Sequence, residues 1–198
     1  INPNAKWFPC NKGGDYRKWY GNNDYFINWE NDGYEIKNFK DENGRQKSRP
    51  QNLSFMLKEG LTYTNVSSSK LGVRYCKGNF IFDAAGSMIF PKKDLMYYSL
   101  GLLLSKIMLE ITKVTSPTLT FEIGQISTLP YILDNNQKKL IDDIVKENIE
   151  LEKEEWDFFE TSWDFKKNVL VENNCNSRNL TNKNTYLIKS SWNSHNIR

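Results

Sequence analysis

The chain has 198 residues, of which 38% are hydrophobic, 26% charged and 14% aromatic, and its formal net charge is +3. The aromatic share is too high for an intrinsically disordered chain, and no run of about 18 apolar residues is present to span a membrane. Three scattered cysteines and one histidine cannot supply the four ligands of a zinc site, and they favour a reducing, cytoplasmic setting. Because the sequence begins with Ile1 rather than Met, we expect a piece of a longer protein.

The charge is distributed unevenly and predicts three segments. Residues 1–130 carry 17 Lys and Arg against 12 Asp and Glu, residues 131–172 carry 6 against 12, and residues 173–198 carry 4 against none. The composition changes at the same points, from aromatic and Asn-rich, through helix-forming, to polar. We therefore predict a domain over residues 1–130, an acidic helical spacer or docking segment over 131–172, and a poorly ordered tail over 173–198.

Short runs rich in aromatic and β-branched residues predict strands in the first 90 residues, with Gly- and Asn-rich turns between them. The predicted strands cover residues 15–20, 24–29, 54–58, 61–66, 73–76, 80–83 and 87–90. The pairs Glu59-Gly60 and Gly78-Asn79 are typical of hairpin turns. Residues 39–52 contain no apolar side chain after Phe39, which predicts an exposed loop.

Helices are predicted in the second half of the chain. Asp94 is expected to cap a helix that runs to about residue 113, with an apolar face at helical spacing formed by Leu100, Leu103, Leu104, Ile107, Met108 and Ile111. Residues 118–129, between Pro117 and Pro130, have strand or turn character. Residues 136–148 and 152–165 predict an acidic helical hairpin. Its first helix buries Leu140, Ile141, Ile144 and Val145, and its second presents Trp156, Phe159 and Trp163.

Catalytic signatures are missing from the sequence. The N6-adenine methyltransferase motif (Asp/Asn/Ser)-Pro-Pro-(Tyr/Phe), a complete glycine-rich cofactor loop, a P-loop and a GxSxG motif are all absent. A Ser-His-Asp triad would have to recruit His195 from the tail. The carboxylates on or beside predicted strands, at Asp15, Glu30, Asp32 and Asp83, are best explained as solvated or turn residues. We therefore predict no catalytic residue, no metal and no cofactor within this chain.

Cationic and amide side chains are grouped in the first 80 residues, and these residue types suit DNA. Arg and Lys neutralise phosphates and contact guanine, Gln and Asn pair with adenine, and Ser hydroxyls bind phosphate oxygens. We predict groove contacts from the 39–52 loop, through Arg45, Lys47, Arg49, Gln51 and Asn52. Phosphate or base contacts are predicted for Arg17, Lys18, Ser67, Ser68, Ser69, Lys70 and Arg74. The aromatic residues Trp7, Trp19, Tyr20 and Trp29 are expected in the core rather than as base-stacking platforms.

A long ordered series of motifs covers most of residues 6–170. It comprises KWFPCNKGGDYRKWYGNNDYFINWENDGYEIKNF (6–39), RPQN (49–52), FMLKEGLTYTNVSSSKLGVRY (55–75), GNFIFDAAGSMIFP (78–91), LGLLLSK (100–106), SPTLTFEIGQISTLP (116–130) and WDFFETSWDFKKNVL (156–170). The series resembles the target-recognition region of the BREX adenine-specific DNA methyltransferases, the PglX family, which is related to the single-chain type IIG restriction-methyltransferases.

The resemblance implies an α+β fold, a twisted and mostly antiparallel sheet with flanking helices like the recognition domains of type I specificity subunits, followed by a helical hairpin. It also implies a bacterial parent enzyme with an N-terminal methyltransferase domain. That domain would bind S-adenosylmethionine, flip an adenine out of double-stranded DNA and methylate its N6 atom, as part of a phage-defence system with other subunits. This chain would then select the DNA sequence and have no catalysis of its own.

Two other functions remain open on the residues alone. Trp, Tyr and Asn on short strands also suit a carbohydrate-binding β-domain, although the basic loop argues against it. The acidic residues 136–165 suit a protein-interaction module, a role that is compatible with DNA binding.

Overall fold

The computed structural model describes residues 5–67, 70–118 and 120–167. Contacts divide the chain into two compact units, Ile1–Glu152 and Lys153–Arg198. The described residues form an α+β fold, as predicted. Its strands are β1 (Trp7–Asn11), β2 (Tyr25–Asn28), β3 (Gly60–Tyr63), β4 (Val73–Cys76), β5 (Ile81–Phe82) and β6 (Met88–Ile89), and its helices are α1 (Glu30–Lys37), α2 (Met96–Leu103), α3 (Lys106–Thr115), α4 (Ile123–Ser127) and α5 (Lys138–Trp156).

The strands of the described residues form two small sheets, where a single sheet was expected. The first has the order β2-β1-β5, with β1 antiparallel to β2 and parallel to β5. The second has the order β4-β3-β6 and is antiparallel throughout. The mostly antiparallel pairing is therefore confirmed, but β5 and β6 lie in different sheets although they are close in sequence.

The turn between β5 and β6 crosses from one sheet to the other. One carboxylate oxygen of Asp83, Oδ1, accepts hydrogen bonds from the backbone N–H of Ala85 at 2.9 Å and of Gly86 at 3.0 Å. A Cβ atom at Gly86 would lie 2.4 Å from the carbonyl oxygen of Asn11, at the end of β1. Only glycine therefore fits at position 86 without displacing the backbone of the neighbouring strand.

The main apolar core of the first unit lies where the second sheet meets the helices. Gly101 allows α2 and α5 to approach closely, because a Cβ atom there would lie 2.9 Å from a methyl group of Val145. A smaller cluster of Phe8, Trp29 and Ile81 belongs to the first sheet. The main core consists of Leu61, Tyr63, Leu71, Val73, Met96, Leu100, Leu103, Leu104, Met108, Phe121, Val145 and Ile149.

The helix predicted over residues 94–113 is broken into α2 and α3, which are bent by 73°. Ser105 begins α3, because its hydroxyl accepts a hydrogen bond from the backbone N–H of Met108 at 3.2 Å. The bend divides the predicted apolar face, so that Leu100 and Met108 are buried but Ile107 is 74% exposed.

No single helix of the described residues is long and apolar enough to cross a membrane. Only α2 and α3 taken together have the length and composition for it, and they are bent.

The predicted helical hairpin is wrong, because α5 is one helix of 19 residues. Residues 149–151 contain no Gly or Pro, so nothing there ends the helix. Val145 is buried as predicted, but Leu140 and Ile144 are 57% and 48% exposed. The predicted second helix is replaced by turns after Trp156, and the tail 173–198 lies outside the described residues.

The described part of the second unit is fixed by polar contacts. Lys153 Nζ lies 2.7 Å from Asp157 Oδ2, and the hydroxyl of Ser162 donates to Asp157 Oδ1 at 2.7 Å. The backbone N–H of Asp164 donates to the same hydroxyl at 3.2 Å. These bonds define the turns that follow α5.

Two of the predicted strands are absent. Residues 54–58 lie in and after a short 3₁₀ turn, Leu53–Phe55, and residues 15–20 make only an isolated bridge between Trp19 and Arg74. The predicted hairpin turns are also wrong. Gly60 is the first residue of β3, and Gly78-Asn79 connects strands of two different sheets.

Three elements were not predicted, β1, α1 and α4, and the helix α4 lies within residues 118–129, where strand or turn character was expected. α1 begins with three residues in the left-handed conformation, Asn31, Asp32 and Gly33, with φ of 50°, 57° and 73°. Asn, Asp and Gly are the residues that accept this conformation most easily, and they are also turn residues. The sequence therefore indicated a turn at the point where a helix begins.

Gly86→Ala tests the junction of the two sheets. We expect a loss of about 1–3 kcal/mol in the free energy of unfolding, the usual range for overpacking against rigid neighbours. Chemical denaturation followed by circular dichroism measures it. Gly124→Ala is the control, since a Cβ there meets nothing within 4 Å, and it should change stability by less than about 1 kcal/mol. Equal stability of the two variants would contradict the close packing.

Candidate nucleic-acid interface

A cleft of about 780 Å³ opens in the first unit. One side is formed by residues 47–52 of the predicted loop, and the other by side chains of both sheets and of the segments that follow β5 and β6. Four of the predicted DNA-contact residues line it, Lys47, Arg49, Gln51 and Asn52. The loop is largely exposed, as predicted. We refer to this space as the cleft.

Aromatic rings form part of the cleft wall. The ring centroids of Phe55 and Phe90 are 4.9 Å apart, and those of Phe82 and Phe90 are 5.9 Å apart. Phe55 is 41% exposed, and the ammonium group of Lys58 lies 5.1 Å from the centroid of its ring. The wall therefore offers a partly exposed aromatic ring with a positive charge over it.

The polar side of the cleft carries groups with no partner in the part of the chain that the structure describes. The side chains of Arg49, Gln51 and Asn52 make no hydrogen bond or ion pair there. Lys47 Nζ lies 3.4 Å from Asp41 Oδ2, an exposed pair that stabilises little. The carboxylate in the lining is Asp83, whose Oδ1 atom receives the two backbone bonds of its turn.

The loop has internal support although it is exposed. Asp41 Oδ1 accepts hydrogen bonds from the backbone N–H of Asn43 at 3.1 Å and of Arg45 at 2.8 Å. The side-chain amide of Gln46 donates to the carbonyl oxygens of Lys37 and Ser48, both at 2.8 Å. These bonds hold the backbone in one conformation while the cationic and amide side chains remain available.

The second group of predicted contacts lies elsewhere, and none of its described members lines the cleft. Arg17 is half-buried and lies 3.6 Å from Glu152. Lys18 is also half-buried. The next residue, Trp19, holds this segment against β4, because its backbone N–H donates to the carbonyl oxygen of Val73 and its carbonyl oxygen accepts from the backbone N–H of Tyr75. Arg17 and Lys18 are therefore positioned by β4 rather than by the loop.

Arg74 is buried, with 1% of its surface exposed. Its Nη1 atom donates to the hydroxyl of Thr64 at 3.3 Å, and its Nε atom has no partner within the described residues. Burial, followed by the positive charge of Arg17, lowers the pKa of Arg74 to about 10. Because the guanidinium is enclosed, it cannot reach a ligand at the surface of this structure.

The Ser-rich turn is only partly described. Ser67 is buried, and its hydroxyl donates to the carbonyl oxygen of Lys70 at 2.9 Å. Lys70 is exposed. The predicted contacts Ser68 and Ser69 lie outside the described residues.

The aromatic residues that the sequence singled out have different environments. Trp29 is buried and Trp19 and Tyr20 pack against the core, as expected, whereas Trp7 is 60% exposed. Trp29 also lines the cleft, but the other rings that line it, Phe55, Phe82 and Phe90, were not singled out. Their only sequence signal was their position on three predicted strands, residues 54–58, 80–83 and 87–90.

The described residues contain no group of three or more His, Cys, Asp or Glu side chains that could hold a metal ion. Two cysteines, Cys10 and Cys76, are buried and have free thiols rather than a disulfide bond. Burial raises the pKa of each thiol to about 11. Neither thiol is therefore suited to act as a nucleophile at neutral pH.

Comparison with known proteins finds two relatives of the chain. No protein-family model matches it. It is 38% identical over 176 residues to the adenine-specific methyltransferase BrxX of Escherichia coli O9:H4 (strain HS) and 35% identical over 175 residues to the adenine-specific methyltransferase PglX of Lacticaseibacillus casei (strain Zhang), each match covering 87% of the chain. The chain is related to the BREX family of adenine-specific methyltransferases. It spans about 14% of the length of each of these BREX relatives.

Asp41→Ala tests the support of the loop. Loss of the two backbone hydrogen bonds should speed amide hydrogen exchange at Asn43 and Arg45 about fivefold or more, because one such bond contributes about 1 kcal/mol. Exchange measured by mass spectrometry or NMR reports this directly. Asp41→Asn retains the acceptor but removes the charge facing Lys47, so it should exchange like the original chain. Fast exchange in both variants would mean that the ion pair with Lys47, rather than the two hydrogen bonds, supports the loop.

Proposed function

We propose that this chain is a DNA target-recognition domain within a site-specific N6-adenine DNA methyltransferase of bacterial phage defence. In the bacterial cytoplasm it would bind duplex DNA and choose the sequence that the N-terminal methyltransferase domain of the parent modifies. The observation that carries the proposal is a group of side chains, Arg49, Gln51 and Asn52, that have no partner within the described residues and belong to a supported loop beside the cleft. The relationship to the BREX methyltransferases supplies the context.

The chemistry of the loop supports recognition of DNA bases. A guanidinium can donate two hydrogen bonds to guanine, and a side-chain amide can both donate to and accept from adenine. These groups must be accessible and unpaired in the free protein. The side chains of Arg49, Gln51 and Asn52 are exposed and have no partner in the part of the chain that the structure describes. The ammonium group of Lys47 adds a positive charge that attracts phosphate. Its ion pair with Asp41 is weak, so the lysine can leave Asp41 to contact DNA.

The distribution of charge agrees with this role. Residues 1–130, which include the loop, carry five more cationic than anionic side chains, whereas residues 131–172 carry six more anionic ones. A polyanion is therefore attracted to the part of the chain that holds the cleft. Arg74 makes no part of the proposed contact, since its guanidinium is enclosed.

The proposal assigns S-adenosylmethionine to the remainder of the parent enzyme. Gly13 and Gly14 follow β1, but no helix begins after them, and Gly13 packs against the carbonyl oxygen of Ala85. The described residues therefore do not fit a glycine-rich loop that leads into a helix, which is the usual phosphate and nucleoside cradle. Transfer of the methyl group would take place outside this chain.

A further role in protein contact is favoured by α5. Leu140, Ile144 and Leu151 lie at i, i+4 and i+11, on one helix face, and are 57%, 48% and 55% exposed. Acidic residues such as Asp143 and Glu147 lie on the same helix. This surface suits the N-terminal methyltransferase domain or another phage-defence subunit, and it adds to DNA binding rather than replacing it.

Binding of a labelled duplex, measured by fluorescence anisotropy from 50 to 300 mM salt, tests the proposal. We expect affinity to fall steeply with salt, because cations of the chain displace counterions from phosphates. Arg49→Ala should weaken binding, by about 1–3 kcal/mol if the guanidinium contacts a guanine. Lys106→Ala is the control, since it removes the same charge from an exposed position that does not line the cleft. Affinity that is independent of salt, or equal loss in both variants, would contradict the proposal.

A second experiment uses the full-length parent enzyme. Residues 1–130 are exchanged for the matching segment of a relative with a different specificity, and N6-methyladenine is mapped across the host genome. The methylated sequence should change to that of the donor, while S-adenosylmethionine binding is retained. An unchanged methylation sequence in an active hybrid would show that specificity lies elsewhere.

A further inference from the structure

We propose that the cleft accepts one unstacked nucleobase from the DNA that the loop holds, stacked on the ring of Phe55. This inference rests on the proposed function and goes beyond it, since recognition through the grooves needs no such cavity. It depends on three independent features of the cleft, namely its size, its aromatic wall and its unpaired polar groups.

The size of the cleft is sufficient for a nucleoside and its phosphate. Its volume of about 780 Å³ is within the range of small-molecule sites, which is roughly 300–1,000 Å³. A base in an intact duplex presents only its edges, so it cannot enter such a space. Occupancy therefore requires a base that has left the stack.

The aromatic wall supplies a stacking surface. Phe55 is 41% exposed, Phe90 lies against it at 4.9 Å between centroids, and the ammonium group of Lys58 lies over its ring at 5.1 Å from the centroid. A base that stacks on Phe55 would displace the exposed side chain of Lys58 from the ring. Stacking of a base on an aromatic side chain strengthens binding by roughly 5- to 150-fold per base. Such a gain is possible only with a flat ligand, which favours a base over an aliphatic chain.

The polar groups match the edge of a base that carries an amino group. Gln51 and Asn52 provide donors and acceptors, and neither side chain has a partner within the described residues. Asp83 uses Oδ1 for its own turn, and Oδ2 receives no hydrogen bond from the described residues. A carboxylate oxygen accepts from the amino group of adenine or cytosine, whereas it would face a carbonyl oxygen of thymine.

The charges of the loop lie where the backbone of the DNA would run. Lys47 and Arg49 line the same cleft, and both belong to the exposed loop. Cations beside the cleft would neutralise the phosphates that flank an extruded nucleotide. Extrusion is least costly for a base that is already unpaired, which makes a bulged base the appropriate probe.

Three labelled duplexes test the inference on the full 198-residue chain. They are a perfect duplex, the same duplex with one unpaired adenine, and the same duplex with an abasic site in place of that adenine. We expect the adenine bulge to bind about 10-fold more tightly than the abasic bulge. Phe55→Leu should reduce this ratio to near one, because it keeps an apolar side chain but removes the ring. Phe55→Tyr should retain the ratio.

Controls separate the stacking role from a structural one. Tyr34→Ala removes an aromatic side chain that is 65% exposed and does not line the cleft, so the ratio should persist. Tyr34→Ala should also bind the perfect duplex like the original chain. Equal binding of the adenine and abasic bulges by the original chain would overturn the inference. A loss in Phe55→Leu that affects every duplex equally would do the same.

Further arms identify the ligand. A thymine bulge should bind more weakly than the adenine bulge, and equal binding would contradict the contact with Asp83. Adenosine monophosphate alone should bind far more weakly than the bulged duplex, and comparable affinity would mean a free nucleotide site. If the perfect duplex binds with a steep salt dependence but the adenine and abasic bulges bind equally, only this inference fails. If no duplex binds, the proposed function fails with it.

Discussion

The described fold depends on the passage of one turn between two sheets. Residues 83–87 leave β5 in the first sheet and enter β6 in the second, and Gly86 lies against the backbone of Asn11 with no space for a side chain. Two carbonyl oxygens of this turn bind the end of β3 and the residues after it. That of Ser87 accepts from the backbone N–H of Tyr63 at 2.9 Å, and that of Ala85 accepts from the backbone N–H of Asn65 at 3.1 Å. The same turn lines the cleft. Part of the cleft lining is therefore held in place by the joint between the two sheets.

The opposite wall obtains its order in a different way. The 39–52 loop has little apolar contact, and its conformation is held by side chains that bond to backbone, chiefly Asp41 and Gln46. Such bonds satisfy the backbone polar groups of a surface segment without burying it. Binding then requires less ordering of the chain, and more of the interaction energy is retained as affinity. A supported loop facing an aromatic wall can thus present Arg49 and Gln51 in a defined position.

The sequence predicted the class of fold and the exposed loop, because both depend on composition over many residues. It could not predict the two sheets, since the pairing of β1 with β5 is parallel and joins segments about 70 residues apart. The break between α2 and α3 was equally hidden, because Ser105 lies within an otherwise continuous helical pattern. In the site, the polar groups were visible as a cluster of residue types. The aromatic wall was not, since two-residue strands carry too little periodicity to indicate which side a ring occupies.

Arg74 explains why residue type alone cannot select DNA contacts. The sequence of β4 places Arg74 between Val73 and Tyr75, and a charged residue within a strand is typical of a face in water. In the structure β4 is covered on both faces, so Arg74, paired with Thr62 in β3, is enclosed. Burial lowers the pKa of the Arg74 guanidinium, whereas the guanidinium of Arg49 lies in an exposed loop and has no partner among the described residues. The two arginines differ only in what covers them. A search for contact residues in this family must therefore begin with exposure, and only then consider the chemistry of the side chain.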